Sequence, residues 1–449
     1  MAALLIKILY VPTLLVIGLG AMLLILGRKI PRRWARVLAL LGLAGAAVRL
    51  SLVSWTRVEL ALDFSVFWKV GAAFWNGQDP YQFAFDPPFL YPPNAPPLFA
   101  LLALLPEWTS DSVLTVINIA LALSLAPLSV LALRGRMGTD GVRLSSWEIL
   151  ILGNTVAFSP STTLCVLLGQ LPLIVTGFLL LALAAQSHAQ PILAGIGLAV
   201  AAVKPTTTMP FLLLFHRWAD ARSWIALVVL TLGLCLLTGR PTDWPHQLQS
   251  VMKTIRQSTE PGGPNDYTFA NTRNAHTRIG LDHTLYRLGL RDQRRIGVIA
   301  GAIIAAVGGW LVWEMFFNRV IPRDGMLCLV ALYAMLFFYH RIYDSVLLAL
   351  PFVYSANRTR VATGAARLGY GVTALACLAV LYTPSRLLES GLLNSLEWGG
   401  VRGWAFQALV TPWATWWVVI GFVFLVLAER LGRDAQCRDV ALAPVASGS

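Results

Sequence analysis

The chain has 449 residues, of which 57% are hydrophobic and only 13% are charged, and its mean hydropathy is +0.67. A soluble protein carries about 25% charged residues, so this composition excludes a soluble globular protein and indicates a membrane protein crossed by several helices. The formal net charge of +13 would suit nucleic-acid binding, but the Lys and Arg residues lie between apolar runs. In a membrane protein, Lys and Arg in the loops set the orientation of the chain in the membrane. This role accounts for the positive charge, so no nucleic-acid partner is expected.

Long apolar runs follow one another along the chain and predict an all-α polytopic protein with about 12–13 transmembrane helices. The first run has no small-residue cleavage site before Arg28 and is interpreted as a retained helix. The runs near 200, 210 and 350 contain prolines and are shorter than the roughly 20 residues of a straight span. The predicted spans lie near 4–27, 37–56, 111–133, 145–159, 170–186, 191–203, 206–216, 223–238, 296–317, 324–338, 344–355, 367–382 and 404–428.

Lys and Arg are concentrated in alternate short loops, which is typical of cytoplasmic loops. The segment 28–36, which holds five of them, is the richest. With these loops inside, the N-terminus is external and 1–430 forms one transmembrane domain. The small-residue-rich tail at 431–449 is expected to be cytoplasmic and disordered, and the run 96–106 is too short to span and is expected to be re-entrant or interfacial. The external segments are then 57–97, 159–170, the turn at Lys204, 239–295, 339–343 and 383–403.

The first external segment, 57–97, combines aromatic residues, aspartates and prolines. Aromatic residues recur at helical spacing from Phe64 to Trp75, which predicts a helix lying in the membrane interface with its aromatic side toward the lipid. Asp63 precedes this pattern at the N-cap position, where aspartate often has a purely structural role. Asp79, in the sequence NGQDPY, has the pattern of a turn residue.

Several motifs occur in a recognisable order along the chain. The first external segment contains DFSVFW, GQDPY and YPP, and it is followed by Gly169–Gln170 before an apolar run, by Lys204–Pro205, and by FFYHRIYD at 337–344. In this order the motifs resemble those of family 87 glycosyltransferases, from about residue 37 to residue 430. At 282–285 the chain has Asp-His-Thr-Leu, where relatives often have Asn-Gln-Ser-Leu, and the run at 4–27 is additional to the usual start of the family.

The resemblance implies a GT-C-like bundle in the bacterial inner (plasma) membrane with its active site on the periplasmic, external face. Such enzymes use polyprenyl-phosphate sugars and include mycobacterial phosphatidylinositol mannoside α-1,2-mannosyltransferases and some arabinofuranosyltransferases. The implied partners are a polyprenyl-phosphate-linked sugar, most often mannose, a lipid or glycolipid acceptor and the membrane lipids, and the protein is expected to be a monomer. The implied reaction is an inverting transfer that requires no cofactor, although some GT-C enzymes use a divalent metal.

The implied chemistry needs a base for the acceptor hydroxyl and cations for the leaving phosphate. Asp63 is the candidate base, and His340 is expected either to orient it or to contact phosphate. A hydrogen-bonded interfacial histidine is the alternative interpretation of His340. Lys204, Arg341 and Arg278 are the candidate phosphate ligands. Lys204 and Arg341 have the alternative of anchoring helix ends by extending to the lipid headgroups.

Other polar residues are candidates for binding the sugar or the acceptor. Gln170 can donate to a sugar hydroxyl or cap the following helix, and the tyrosines can stack on a sugar or belong to the aromatic belt. Most of the basic residues in 239–295 are expected to form a solvated face. The five cysteines have no metal or disulfide spacing, and no metal ligands are assigned. The candidate sugar- and acceptor-binding residues are Gln170, Tyr81, Tyr91, Asp79 and His276.

Three alternative functions stay open at this point. A transporter of lipids or sugars would carry ionisable residues in the middle of its spans, whereas here the polar residues collect on one face. An enzyme of the same fold could use a polyprenyl-phosphate pentose such as arabinofuranose, which the sequence does not distinguish from a hexose. A binding or scaffold protein would carry out no turnover.

Overall fold

The protein is described by a computed structural model that covers residues 2–55, 61–137, 143–216, 220–268, 275–337, 339–398 and 400–442. Helices make up most of it, because apolar runs bury their backbone polar groups best by pairing them within one segment. The helices are α1 (Ala2–Ile25), α2 (Arg32–Trp55), α3 (Leu62–Trp75), α4 (Pro96–Ala100), α5 (Glu107–Met137), α6 (Ser146–Ala157), α7 (Pro160–Leu168), α8 (Pro172–Ser187), α9 (Pro191–Ala201), α10 (Pro205–Leu212), α11 (Ala221–Thr238), α12 (Trp244–Thr259), α13 (Leu281–Arg287), α14 (Gln293–Trp313), α15 (Arg323–Leu336), α16 (Ala349–Arg358), α17 (Gly364–Leu381), α18 (Ser385–Trp398), α19 (Gly400–Ala405) and α20 (Trp413–Leu442).

Six of the described helices are long and apolar enough to cross a membrane. A seventh is added if α6 and α7, which are bent by 59° relative to each other, form one span. This architecture confirms the predicted all-α polytopic membrane protein. The six candidate spans are Arg32–Ser54, Glu107–Leu133, Ala221–Thr238, Gln293–Asn318, Gly364–Leu381 and Trp413–Arg433.

Of the other predicted spans, 4–27 coincides with α1, which has 24 residues, and the rest coincide with shorter helices. The total of about 12–13 stays a prediction. Prolines explain the short lengths, because α8, α9 and α10 each begin with proline in the first turn and have 16, 11 and 8 residues. At the C-terminal end the expected disorder from residue 431 is wrong, since α20 continues to Leu442. The expected disorder of 443–449 concerns residues outside the described part of the chain.

The bundle is built around α15, which is buried from Asp324 to Leu336 and is hydrophobic on all sides. Around it, α17 packs against α20 and α5 packs against α8. The helix α15 ends at the segment 337–344, where the last predicted external motif lies. The core therefore fixes the position of that motif relative to the ends of the surrounding helices.

In the first segment predicted to be external, α3 lies against α4 and the short 3-10 helix Leu102–Leu104. Both tryptophans of α3 donate to this partner, Trp68 Nε1 to the carbonyl of Leu105 at 3.0 Å and Trp75 Nε1 to that of Ala100 at 2.7 Å. Gly71 permits the close approach, because a Cβ there would lie 2.3 Å from the carbonyl oxygen of Phe99. The helix α4 has five residues and cannot span a membrane, which agrees with the expectation that the run 96–106 is too short to span.

The orientation expected for α3 is wrong for its first two turns, where Phe64 and Phe67 are buried against the protein rather than turned toward lipid. Trp75, at the end of the helix, is 55% exposed. The ring of Phe67 stacks on Phe99 at a centroid distance of 4.8 Å. Helical periodicity identifies which residues share a face, but it does not distinguish a lipid surface from a protein surface of similar polarity.

Candidate active site

The carboxylate of Asp63 lies at the N-terminal end of α3, against the turn between α7 and α8. Its Oδ2 accepts a hydrogen bond from Gln170 Nε2 at 2.5 Å. Gly169 ends α7 with a φ of +64°, and a Cβ there would lie 2.7 Å from Cβ of Phe64 and 2.9 Å from Cβ of Ala61. A glycine at 169 therefore serves both the left-handed conformation and the close contact that brings Gln170 to Asp63.

The capping role considered for Asp63 is wrong. The N-cap of α3 is Ala61, and Asp63 lies inside the first turn without a side-chain capping bond. Likewise Gln170 does not cap α8, whose N-cap residue is Leu171. Both side chains are thus directed at each other rather than at helix ends.

The pKa of Asp63 is raised above its ordinary value, mainly because the carboxyl is removed from water. The hydrogen bond from Gln170 and the positive charges of Arg341 and Lys204 oppose this rise. A higher pKa makes the carboxylate a stronger base, and the nearby cations keep its ionised form accessible. The environment of Asp63 is therefore suited to accepting a proton.

Asp344 connects three of the predicted site residues. Its Oδ1 pairs with Lys204 Nζ, and its Oδ2 accepts from His340 Nδ1 and from the backbone N–H of Arg341, both at 3.1 Å. The Asp344 side chain is 3% exposed, whereas that of Lys204 is 16% exposed. Asp344 caps the short 3-10 helix Ile342–Leu348 through Arg341 N, and it also holds Lys204 and His340 in place.

His340 is fully buried at the start of the short segment after α15. Its Nδ1 bonds Asp344, and its Nε2 has no hydrogen-bond partner among the described residues. The expectation that His340 orients Asp63 is wrong, since the hydrogen bond to Asp63 comes from Gln170. An ionised Asp344 favours the tautomer with hydrogen on Nδ1, which leaves Nε2 free to bind a ligand.

Strands β1 (Arg278–Ile279) and β2 (His340–Arg341) pair in antiparallel fashion and place Arg278 opposite Arg341. Arg341 donates to Tyr339 Oη at 2.6 Å, to Thr277 Oγ1 at 2.9 Å and to Asn265 Oδ1 at 3.1 Å. These contacts tie the 239–295 segment to the end of α15.

Two basic residues of 239–295 are buried, since Arg278 is 3% exposed and Arg287 is 1% exposed. Arg278, a candidate phosphate ligand, pairs with Asp282 and lies 4.4 Å from the ring centroid of Tyr339. Desolvated arginines need such partners, so the part of the segment around 278–287 is packed protein. The solvated face expected for most of the basic residues is therefore wrong for Arg287, whereas the exposed residues include Arg240, Arg256 and Arg291.

The remaining sequence candidates are distributed around this cluster. Tyr91 packs edge-on against Phe67, and its carbonyl accepts from Tyr81 Oη at 3.1 Å. Asp79 is the turn residue expected, since its Oδ1 accepts from Tyr81 N at 3.0 Å. His276 is buried, its Nδ1 has no partner among the described residues, and burial lowers its pKa. Tyr81 and Asp79 therefore shape the loop, away from the Asp63 carboxylate.

The sequence did not identify Asn265 and Tyr339 as members of the cluster. Tyr339 receives the Nε hydrogen bond of Arg341, and Asn265 accepts from both Tyr339 and Arg341. Tyr339 stood within the quoted YHRIYD motif, so it was available as a candidate. Asn265 gave no signal, because a single asparagine in a polar segment is unremarkable. No group of three or more His, Cys, Asp or Glu side chains suited to a metal occurs in the described part of the chain.

Replacing Gln170 with leucine should move the acidic limb of the pH–rate profile to higher pH. Gln170 lowers the pKa of Asp63, so its removal raises that pKa further. A base acts when deprotonated, and activity is lost as the pH falls through its pKa, so the loss will begin at higher pH. The measurement is kcat/KM against pH, with the exposed Gln257→Leu as control. An unshifted acidic limb would show that Gln170 does not influence the pKa of the group that controls the rate.

The comparison with protein families adds evidence independent of this geometry. The model of glycosyltransferase family 87 matches residues 89–339, which is more than half of the chain. Gln170, Lys204 and Arg278 lie inside the match, whereas Asp63 lies before it and His340 directly follows it. A search of curated proteins gave no match. The chain therefore belongs to glycosyltransferase family 87 and is a multi-pass membrane glycosyltransferase.

Proposed function

We propose that this enzyme transfers a hexose, specifically mannose, from a polyprenyl monophosphate to a hydroxyl group of a lipid or glycolipid. The transfer takes place on the external face of the bacterial inner membrane and inverts the anomeric configuration. The observation that carries the proposal is the pairing of a carboxylate of raised pKa, Asp63, with the nearby charges of Lys204 and Arg341. This pairing supplies the two things that such a reaction needs, a base and an electrostatic partner for the leaving group.

The proposed step is a single displacement. The acceptor oxygen attacks the anomeric carbon while the bond from that carbon to the phosphate oxygen breaks, and the polyprenyl phosphate leaves with the bonding electrons. Asp63 takes the hydroxyl proton. Lys204 and Arg341 stabilise the second negative charge that develops on the phosphate, because cations at short range act strongly where water is excluded.

His340 is proposed as a further phosphate ligand. Its Nδ1–H is held by Asp344, and its buried Nε2 has no partner among the described residues. In the imidazolium form of the ring Nε2 also carries hydrogen and would donate to a phosphate oxygen, which completes its hydrogen bonding. Arg278 is proposed to act from further away, because its guanidinium already donates to Asp282 and to the carbonyl of Asn265. No step in this scheme requires a metal ion.

The external placement of the site predicts a labelling pattern. Single cysteines introduced at the exposed positions Glu260 and Ser390 should react with a membrane-impermeant maleimide in intact cells, and cysteines at Arg33 and Val361 should react only after lysis. The reason is the concentration of Lys and Arg in the loops assigned to the cytoplasm. The reverse pattern would place the site on the cytoplasmic face.

A transfer assay with purified protein tests the proposed donor. Polyprenyl-phosphate [¹⁴C]mannose and extracted native lipids should give a radiolabelled lipid, and polyprenyl-phosphate [¹⁴C]arabinofuranose should give little product. Preference for the pentose would establish the alternative donor. Exchange of label across the vesicle membrane without a new glycosidic bond would establish a transporter instead.

A further inference from the structure

A separate cavity of about 520 Å³ lies at the far end of α3 from Asp63. It is enclosed by the turn after α3, the end of α11 and the start of α12, and its lining includes Phe74, Gln78 and Gln247. Along a helix axis each residue advances by about 1.5 Å, which puts Phe74 roughly 16 Å from Asp63. The cavity is therefore distinct from the cluster around Asp63 and opens beside the same helix.

Gln247 gives an independent indication that the cavity takes a ligand. The residue is 2% exposed, and its Oε1 is buried and receives no hydrogen bond from the described residues. Buried acceptors are normally satisfied, since leaving one unpaired is costly. A small rotation of the Gln247 amide toward the cavity would let a hydroxyl group of a bound ligand supply the missing donor.

The charge of the lining selects the chemistry of that ligand. Asp79 and Asp243 both line the cavity, and no Lys or Arg is found among the described lining residues, which disfavours a phosphate or another anion. Each carboxylate carries one backbone hydrogen bond, from Tyr81 N and Arg240 N respectively, and keeps further acceptor sites for hydroxyl groups.

The rest of the lining suits a neutral sugar better than a cation. Gln78 and Gln82 can both donate and accept, and the ring of Phe74 offers an apolar surface to the C–H face of a sugar. The described residues contain no cluster of three His, Cys, Asp or Glu side chains suited to a metal, although Asp79, Asp243 and His246 all line the cavity.

We propose that this cavity is a carbohydrate subsite that holds sugar residues of the acceptor remote from the reacting hydroxyl. The identity of its ligand as part of an acceptor rests on the proposed function. The subsite would anchor the acceptor glycan at one end of α3 while its terminal hydroxyl reaches Asp63 at the other. The acceptor would accordingly be a glycolipid with several sugars rather than a simple lipid.

Titration calorimetry of the full chain in detergent with α-mannotriose as probe tests the subsite without donor or turnover. Gln247→Leu and Asp243→Asn should each weaken binding about threefold to tenfold, which is the usual effect of losing one hydrogen bond. The matched control is Gln249→Leu, which makes the same change at an exposed position of α12 outside the lining and should bind like the unmodified protein.

Absence of mannotriose binding to the unmodified protein would overturn the subsite, as would equal binding by Asp243→Asn and the control. Asp243 is exposed, so its variant decides the matter even if Gln247→Leu does not fold. Binding of Ca²⁺ or inorganic phosphate in competition with the saccharide would also contradict a neutral sugar site. If transfer from the donor fails while mannotriose binding follows the predicted order, the subsite stands and the proposed reaction falls.

Discussion

Replacing Asp63 with asparagine should reduce turnover about 10²–10⁴-fold, because an amide cannot accept the hydroxyl proton. The protein should still fold, since Ala61 rather than Asp63 is the N-cap residue of α3. The amide oxygen can also accept the hydrogen bond that Gln170 donates to the carboxylate. The measurement is kcat for transfer together with donor affinity, and only kcat should change substantially.

Asp86→Asn is the matched control, because it makes the same chemical change at an exposed position of the same segment and lies outside the lining of the second cavity. Its variant should keep most of the turnover. Near-normal transfer by a well-folded Asp63→Asn protein would remove Asp63 from the chemistry. A larger loss in the Asp86 variant would move the base to that residue.

Lys204→Met should lower the stability of the protein and raise the KM for the donor, and a second change should separate the two effects. The single change leaves the carboxylate of Asp344 buried at 3% exposure without its lysine. Loss of one partner of a buried ion pair typically costs about 3–5 kcal/mol. Since Lys204 is 16% exposed and His340 still contacts Asp344, the cost should lie near the low end of that range.

Adding Asp344→Asn to Lys204→Met removes the uncompensated charge and should restore most of the thermal stability. Donor KM should stay raised, because the phosphate still lacks its cation. The control is the buried pair of Arg360 and Glu148, where Arg360→Met with Glu148→Gln should leave donor KM unchanged. If the Lys204 and Asp344 double variant recovers both stability and donor KM, the pair is only structural.

The membrane architecture could be predicted from the sequence because it depends on composition and loop charge, which act locally. The lengths of the helices were less predictable. Prolines such as Pro172 and Pro191 begin new helices. The hydropathy of the sequence shows only a single apolar run, or the edge of one, at these positions. Hydropathy measures how apolar a segment is, whereas a break in a helix depends on a single proline, whose ring fixes φ and removes the backbone N–H.

Asp63, Gln170 and Lys204 could be selected from their motifs, but their contacts could not. Asp63 and Gln170 are 107 positions apart, and their hydrogen bond depends on the close packing at Gly169. The interpretation of Asp63 as a cap failed because the helix starts two residues earlier than the aromatic pattern suggests.

Arg278 and Asp344 show a different limit. Arg278 could be named as a candidate phosphate ligand, but its burial opposite Arg341 by a two-residue strand pairing could not be predicted. Strands this short have no alternating pattern to read. Asp344 lies in the quoted motif at 337–344 but was not named as a site residue, because its links to Lys204 and His340 exist only after α15 and α10 pack together.

The most direct test of Asp63 and Lys204 as parts of one site is a cryo-EM structure of the Asp63→Asn protein with polyprenyl-phosphate mannose bound. We expect phosphate oxygens within hydrogen-bond distance, about 2.7–3.2 Å, of Lys204 or Arg341, and the anomeric carbon turned toward the side chain at position 63. Donor bound elsewhere, with its phosphate away from Lys204, Arg341 and His340, would contradict the proposed reaction site.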